Sequence, residues 1–390
     1  MALLMRLAVL AISVGHVVWG QCTVPISYFS SKGPVLFRDK EYMVPNALGY
    51  LKWDKGERIT ISCDDSTFRG TDKNKASMTC STKETFSILG IPDIRKLPRE
   101  DVKDLVCSPQ PSGSFQKGEK CANNKGTIYQ FGFKGPAGLG LKPLVPLISV
   151  CYDEAAYSPI YAMHILRGGS IGKAPPGGRI AFRQDGIPDG VEPAVALLKE
   201  SSQARLIDLL GKKKAAQYTS KDYLARGHLS PNSDGIFPAW RRATFFYMNV
   251  VPQWQTVNNG NWVRVEAAVQ DKAEALGRDL TIYTGAHDIL TLDNVPITLE
   301  AKGIQVPKWT WKIVKDGAMD EAIAFVTSNN PFRTAKETIC TDICQASGWY
   351  KAEFANLAIG YTYCCKVSDL MKAVGTIPKE ANAKNILKAK

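Results

Sequence analysis

The chain reads as an α+β protein in two parts, and three observations lead there. Short β-rich pieces broken by Gly, Pro and Ser run from residue 21 to about 147. From residue 150 strand-like runs alternate with helical periodicity. The ten cysteines form a group of six before residue 152 and a group of four after residue 339, with none between. A length of 390 residues suits two domains better than one. The expected division is a small disulfide-rich β domain over 21–148, a larger domain over 149–378 and a basic tail over 379–390.

Residues 1–20 carry Arg6 and then an apolar run from Leu7 to Trp19 that ends on small residues. This is the pattern of a cleaved secretory leader, and its core is too short for a membrane anchor. All ten cysteines follow it, so an oxidising compartment and up to five disulfides are expected. Each group has an even count and closes on itself. Cys364 and Cys365 are adjacent and so bond elsewhere, with Cys340 and Cys344 as the nearest candidates. A zinc site is the rival reading, but no Cys-x2-Cys pair has a partner pair. Net charge is +12, and 48 basic against 37 acidic residues remain once Arg6 is removed. That suits nucleic acid or another polyanion without choosing between them. No later segment is apolar for long enough to span a bilayer, and no Asn-x-Ser/Thr sequon occurs.

In order, residues 58–63, 77–80 and 127–133 are β-rich pieces of the first part, and 204–210 is a helix candidate. Residues 223–229 form a short strand candidate, followed by a loop over 230–234. Residues 243–251, with Thr244, Phe245, Phe246, Tyr247, Val250 and Val251, read as a strand that Pro252 closes. Next, Trp262, Val265, Val269, Ala273 and Leu276 recur at spacings of three and four, the mark of an amphipathic helix. Asn258, Asn259 and Gly260 supply its capping residues. Strand, loop, strand, helix puts His228 at a strand end and Asn258 at a helix start, a way to hold a metal beside a base. The tail over 379–390 is poor in large apolar residues and is expected to fray.

Arg226-Gly227-His228, Asn249-Val250-Val251-Pro252-Gln253 and Asn258 with Glu266 eight residues on resemble the DNA/RNA non-specific endonuclease family. Its signature is Asp-Arg-Gly-His, an Asn-bearing strand and an Asn…Glu helix. The resemblance covers about 150–375, taking in 151–166, 182–188, 279–286 with its Thr-Gly end, 306–314 and 322–326. It implies a ββα-metal nuclease core on a mixed or antiparallel sheet with flanking helices. With a leader and a cysteine-rich β addition, the chain is similar to the crustacean digestive nucleases, a subgroup that favours duplex DNA.

The resemblance implies a secreted, extracellular hydrolase that uses Mg2+, with Mn2+ as a substitute, to leave 5′-phosphate and 3′-hydroxyl ends. Such chemistry needs an activated water, charge neutralisation and help for the departing oxygen. His228 would be the general base, and it is the one motif group that takes a proton near neutral pH. Asn258 would be the direct metal ligand, with Glu266, roughly 12 Å along a regular helix, and Gln253 acting through waters. Arg226 would hold the scissile phosphate and Asn249 a water or the phosphate. Arg241, Arg242 and Arg264, with lysines 212–214, would extend a phosphate-tracking surface. The plainer readings are a core histidine, a solvated Glu266, a surface ion pair for Arg226, turn-forming Asn249 and Gln253, and core Trp240 and Trp254. One residue departs from the signature: its acid is Ala225 here. A catalytically silent secreted polyanion-binding protein on the same fold is the alternative function. An organellar relative has little use for ten cysteines and a leader. No membrane segment and no obligate protein partner is expected.

Overall fold

A computed structural model describes residues 20–29, 31–92, 94–135, 144–175, 179–301 and 303–390. Apart from Gly20, the expected leader lies outside the described residues. The first part is a six-stranded antiparallel sheet in the order 41–42, 35–38, 58–62, 75–82, 85–89, 96–98. Alternation sends Ile59, Ile61, Ala76, Met78 and Cys80 to its buried face. Trp53 and Phe86 stack in its core at 5.1 Å. Cys22–Cys80 and Cys63–Cys107 staple it.

Among the described residues the larger sheet has nine strands, eight in the order 114–121, 126–134, 144–153, 158–166, 280–289, 307–316, 321–328 and 362–365, and a ninth, 385–386, beside 321–328. Its neighbours are antiparallel, except that Asn385–Ile386 runs parallel to Glu321–Ser328. Strand Leu144–Asp153 therefore crosses residues 148–149 without a break, and two strands before it pair into the same sheet. Cys121–Cys151 ties an edge strand inward. Cys340–Cys365 and Cys344–Cys364 close the second cysteine group. The C-terminal segment does not fray: Leu387 is buried, and the Ala389 amide donates to the Ser347 carbonyl at 3.0 Å. Ile386 and Leu387 are enough to dock it, although the surrounding lysines dominate the composition.

Pleating divides the central strand Pro307–Asp316 between two faces. Trp309, Trp311 and Ile313 pack with Tyr363, Leu370 and Ile377 on one. Thr310, Lys312 and Val314 turn to the other, which carries the motif. There Val265, Val269 and Ala273 of helix Val263–Leu276 join a cluster with Leu280, Ile282, Val314 and Phe325. The first part adds to the same cluster, through Phe29 on Phe237 at 6.1 Å and Tyr42 on Trp240 at 5.0 Å.

Candidate active site

Two strands present the first half of the site. Leu224–His228 pairs antiparallel with Val250–Trp254, setting His228 opposite Val250, Arg226 opposite Pro252 and Ala225 opposite Gln253. Pro252 lies inside this strand instead of ending it, because a two-stranded ribbon leaves each strand an open edge where a missing N–H costs nothing. The expected strand over 243–251 is largely loop and short helical turn, its aromatic residues being needed as core. Phe245 and Phe246 pack on Phe182 and Phe131 at 4.9 and 4.3 Å. Glycine suits position 227, since a Cβ would lie 2.9 Å from the Gln253 Cβ, which the strand pairing holds in place.

Residues two apart share a strand face, so Arg226 and His228 point the same way. Phe182 confirms it by meeting both, with its ring 5.0 Å from the His228 ring and 5.2 Å from the Arg226 guanidinium. Phe245 meets the imidazole edge-on at 5.1 Å. The His228 Nε2 is buried without a hydrogen-bond partner. Desolvation first, then the charges of Arg179 and Arg226, pull its pKa down to about 3. At neutral pH it is an uncharged imidazole with a lone pair to offer.

The loop after His228 is pinned by Asn249. Its Oδ1 accepts from the Ser230 amide at 3.0 Å, and its Nδ2 donates to the Ser230 and Thr244 carbonyls at 2.9 Å. Buried and bonded in this way, Asn249 positions the backbone of the loop that follows His228. Gln253 is also buried, with its Nε2 3.4 Å from Thr310 Oγ1 beneath Gly227.

The second half of the site is a helix start. Strand Val250–Trp254 runs through Gln255–Val257 into a π-type turn, Asn258–Trp262, and then the long helix. The capping expectation fails, because Asn258 already has helical backbone angles and caps nothing. Among the described residues its carboxamide has no protein partner. The turn is held from outside: Asn261 Nδ2 donates to the carbonyls of Glu353 at 2.7 Å and Gly360 at 2.8 Å. Arg264 donates to the Gly260 carbonyl at 2.7 Å.

One helical stretch on, Glu266 is half-buried. Desolvation pushes its carboxyl up to about 7, against the lowering effects of Lys312 and of a hydrogen bond from Trp262. Lys312 is 1% exposed and donates to Thr284 Oγ1 at 2.6 Å. Burial holds its ammonium below the usual lysine range, while Glu266 and Asp234 pull the other way. Asp234 accepts from Gln270 of the motif helix at 2.6 Å and lies 2.7 Å from His164 Nε2.

A family model described as DNA/RNA non-specific endonuclease matches residues 124–370. The chain belongs to that family. A salivary endonuclease of Lutzomyia longipalpis is 33% identical over 341 residues, 85% of this chain and 77% of its own. A salivary endonuclease of Culex quinquefasciatus is 28% identical over 369 residues, 90% of this chain and 88% of its own. Salivary protein Tsal1 of Glossina morsitans morsitans is 28% identical over 298 residues, 73% of each chain. The protein is thus a nuclease of the DNA/RNA non-specific class, acting on nucleic acid. No helix among the described residues is long and apolar enough to cross a membrane.

Membership in this endonuclease family implies a divalent metal, and the donor set narrows what kind. Among the described residues no three His, Cys, Asp or Glu side chains cluster as a metal cage. One open carboxamide and one carboxylate fit a hard ion that keeps most of its water. Of the arginines expected along the substrate, Arg226 is exposed. Arg241 is half-buried on the Gly235 carbonyl at 2.8 Å, and Arg264, also half-buried, donates to the Gly260 carbonyl. Arg242 is 2% exposed with Nε on the Pro111 carbonyl at 2.6 Å, so it lies inside the molecule. Trp240 and Trp254 are core. Sequence reading missed Arg179, which acts electrostatically on His228, and the buried group His164, Asp234 and Lys312. A lone lysine in the apolar run Trp309-Thr310-Trp311-Lys312-Ile313 was the available signal.

Proposed function

We propose that this endonuclease hydrolyses phosphodiesters of DNA, duplex in preference, with Mg2+, leaving 5′-phosphate and 3′-hydroxyl ends. His228 Nε2 takes the proton of the attacking water. Arg226 and Arg179 flank the scissile phosphate and balance its charge. Asn258 would hold the ion directly, with Glu266 acting on it through a water. When bound, Mg2+ supplies Lewis-acid help to the departing 3′ oxygen. The observation that carries the reading is the unpartnered, uncharged His228 Nε2 under the influence of two guanidinium groups. A phosphate is the natural third party to that arrangement, and duplex preference is argued from resemblance alone.

A plasmid-nicking assay with Mg2+ and with chelator tests it. Cleavage that chelator abolishes, and that His228→Ala loses, is expected. Binding without chelator-sensitive cleavage would favour a silent polyanion-binding protein, for which Ala225 speaks. Parallel digests of duplex DNA, single-stranded DNA and RNA decide substrate preference. The protein is secreted through the leader over 1–20, in keeping with its salivary relatives. The boundary between the cysteine-rich β part and the nuclease part falls near residue 113, ahead of the first strand of the large sheet, and not at 148.

A further inference from the structure

A buried ammonium is costly, and a strand facing a helix is served as well by methionine or leucine. Lys312 nevertheless sits at the middle of the central strand, directly across from Thr284, on the face that carries the motif. Its contacts reach the residue after His228 and the turn that carries Asn258, two of the three pieces of that motif. Thr284 Oγ1 at 2.6 Å aims the ammonium. The carbonyl of Leu229, the residue after His228, lies 3.5 Å away at the limit of a hydrogen bond. The Trp262 ring, at the end of the turn that carries Asn258, is 5.3 Å from Nζ. Glu266 and Asp234 are its electrostatic partners.

The charges around it make a compact set. Asp234 is bound by His164 and by Gln270, which leaves Lys312 as the cation shared between Asp234 and Glu266. Among the described residues, the buried polar side chains beneath the first half of the site, Gln253 and Asn249, are neutral. The two halves come from different stretches of the chain: Asp234 and Gln270 link the loop after His228 to the motif helix, and Lys312 meets both from the strand beneath, at the Leu229 carbonyl and the Trp262 ring.

We propose that Lys312 is a positioning residue for phosphodiester cleavage, a buried cation that fixes the His228–Leu229 turn and the Glu266 carboxylate relative to each other. The inference rests on the catalytic roles proposed above for His228 and Glu266. Lys312 meets neither substrate nor metal. It acts by placing the groups that do.

The test uses the full-length oxidised protein and three variants. Lys312→Met should lower kcat on plasmid DNA by about 10- to 100-fold with KM within about twofold, as expected when reacting groups are displaced by an ångström or less. In the metal-free protein the His228 imidazole resonances should shift, while far-UV circular dichroism stays unchanged. Thr284→Val keeps the cation but removes its 2.6 Å anchor, and should give a smaller loss of the same kind. Lys315→Met, on the same strand but bound to the Glu380 and Asn382 carbonyls, should leave kcat unchanged. A folded Lys312→Met protein with wild-type kcat overturns the proposal, as does equal damage from Lys315→Met. Should Lys312→Met fail to fold, a wild-type kcat for Thr284→Val overturns it. A wild-type protein without chelator-sensitive cleavage sinks the proposed catalytic roles first, and this inference falls with them. An active wild type beside an unaffected variant sinks this inference alone.

Discussion

The low pKa of His228 comes from causes that a substrate changes. Desolvation keeps the free imidazole neutral, and the charges of Arg179 and Arg226 add to that. A phosphodiester resting on both guanidiniums offsets their charge, so the base strengthens when there is something to cleave. His228→Ala should therefore lose about 10²- to 10⁴-fold in kcat, the range of a general base, while chelator-treated protein still binds DNA. Glu266 behaves oppositely. Its carboxyl is raised to about 7, so below that pH it holds a proton that a hydrated ion bound beside it would have to displace. The Mg2+ concentration for half-maximal rate should rise as pH falls below about 7, by up to about tenfold per unit. A metal requirement flat between pH 5 and 8 would remove Glu266 from the metal's water shell. At saturating Mg2+ the His228 limb of kcat/KM, which reports the free enzyme, should appear only in much stronger acid, because its free pKa lies near 3.

At the level of elements, the π-type turn Asn258–Trp262 decides where the carboxamide goes. Gly260 sits against the Ile359 backbone, where a Cβ would come within 2.5 Å of the carbonyl oxygen. That oxygen cannot swing aside as a side chain would. Gly260→Ala should cost about 1–3 kcal/mol by thermal unfolding and raise the Mg2+ requirement of the folded protein. Asn259→Ala, at an exposed neighbour, should do neither. The turn also shows where sequence reading stops. The spacing of Val265, Val269 and Ala273 gave the helix and its buried face, since burial of a stripe is a local pattern. Asn258, Asn259 and Gly260 look like caps in any local reading. What makes them a turn that leaves Asn258 free is Asn261 reaching the carbonyls of Glu353 and Gly360, some ninety residues away. Phe245 and Phe246 misled for a similar reason, because aromatic residues suit a strand and a buried loop equally well.

For the whole molecule the instructive residues are the arginines, since the sequence gives a count of charges but not their placement. Arg183 and Arg242 turn inward and hold the segment joining the two parts. Arg183 donates to the Gly113 carbonyl at 2.8 Å and the Ser112 carbonyl at 2.7 Å, with its guanidinium 3.8 Å from the Phe246 ring. Arg242 donates to Pro111 next to them. The excess of positive charge available to a polyphosphate is therefore smaller than composition suggests, and single substitutions sort the two kinds. DNA affinity in chelator should fall linearly with the logarithm of salt concentration, each phosphate contact contributing about 0.9 to the slope. Arg226→Ala should weaken binding and reduce that slope by about 1, with unfolding unchanged. Arg242→Ala should leave the slope alone and lower unfolding stability by about 1–3 kcal/mol, because it removes a charged donor from a buried carbonyl. If Arg242→Ala instead flattened the salt dependence, its guanidinium would be reaching the substrate after all. The joint it makes between the two parts would then have to open for DNA to bind.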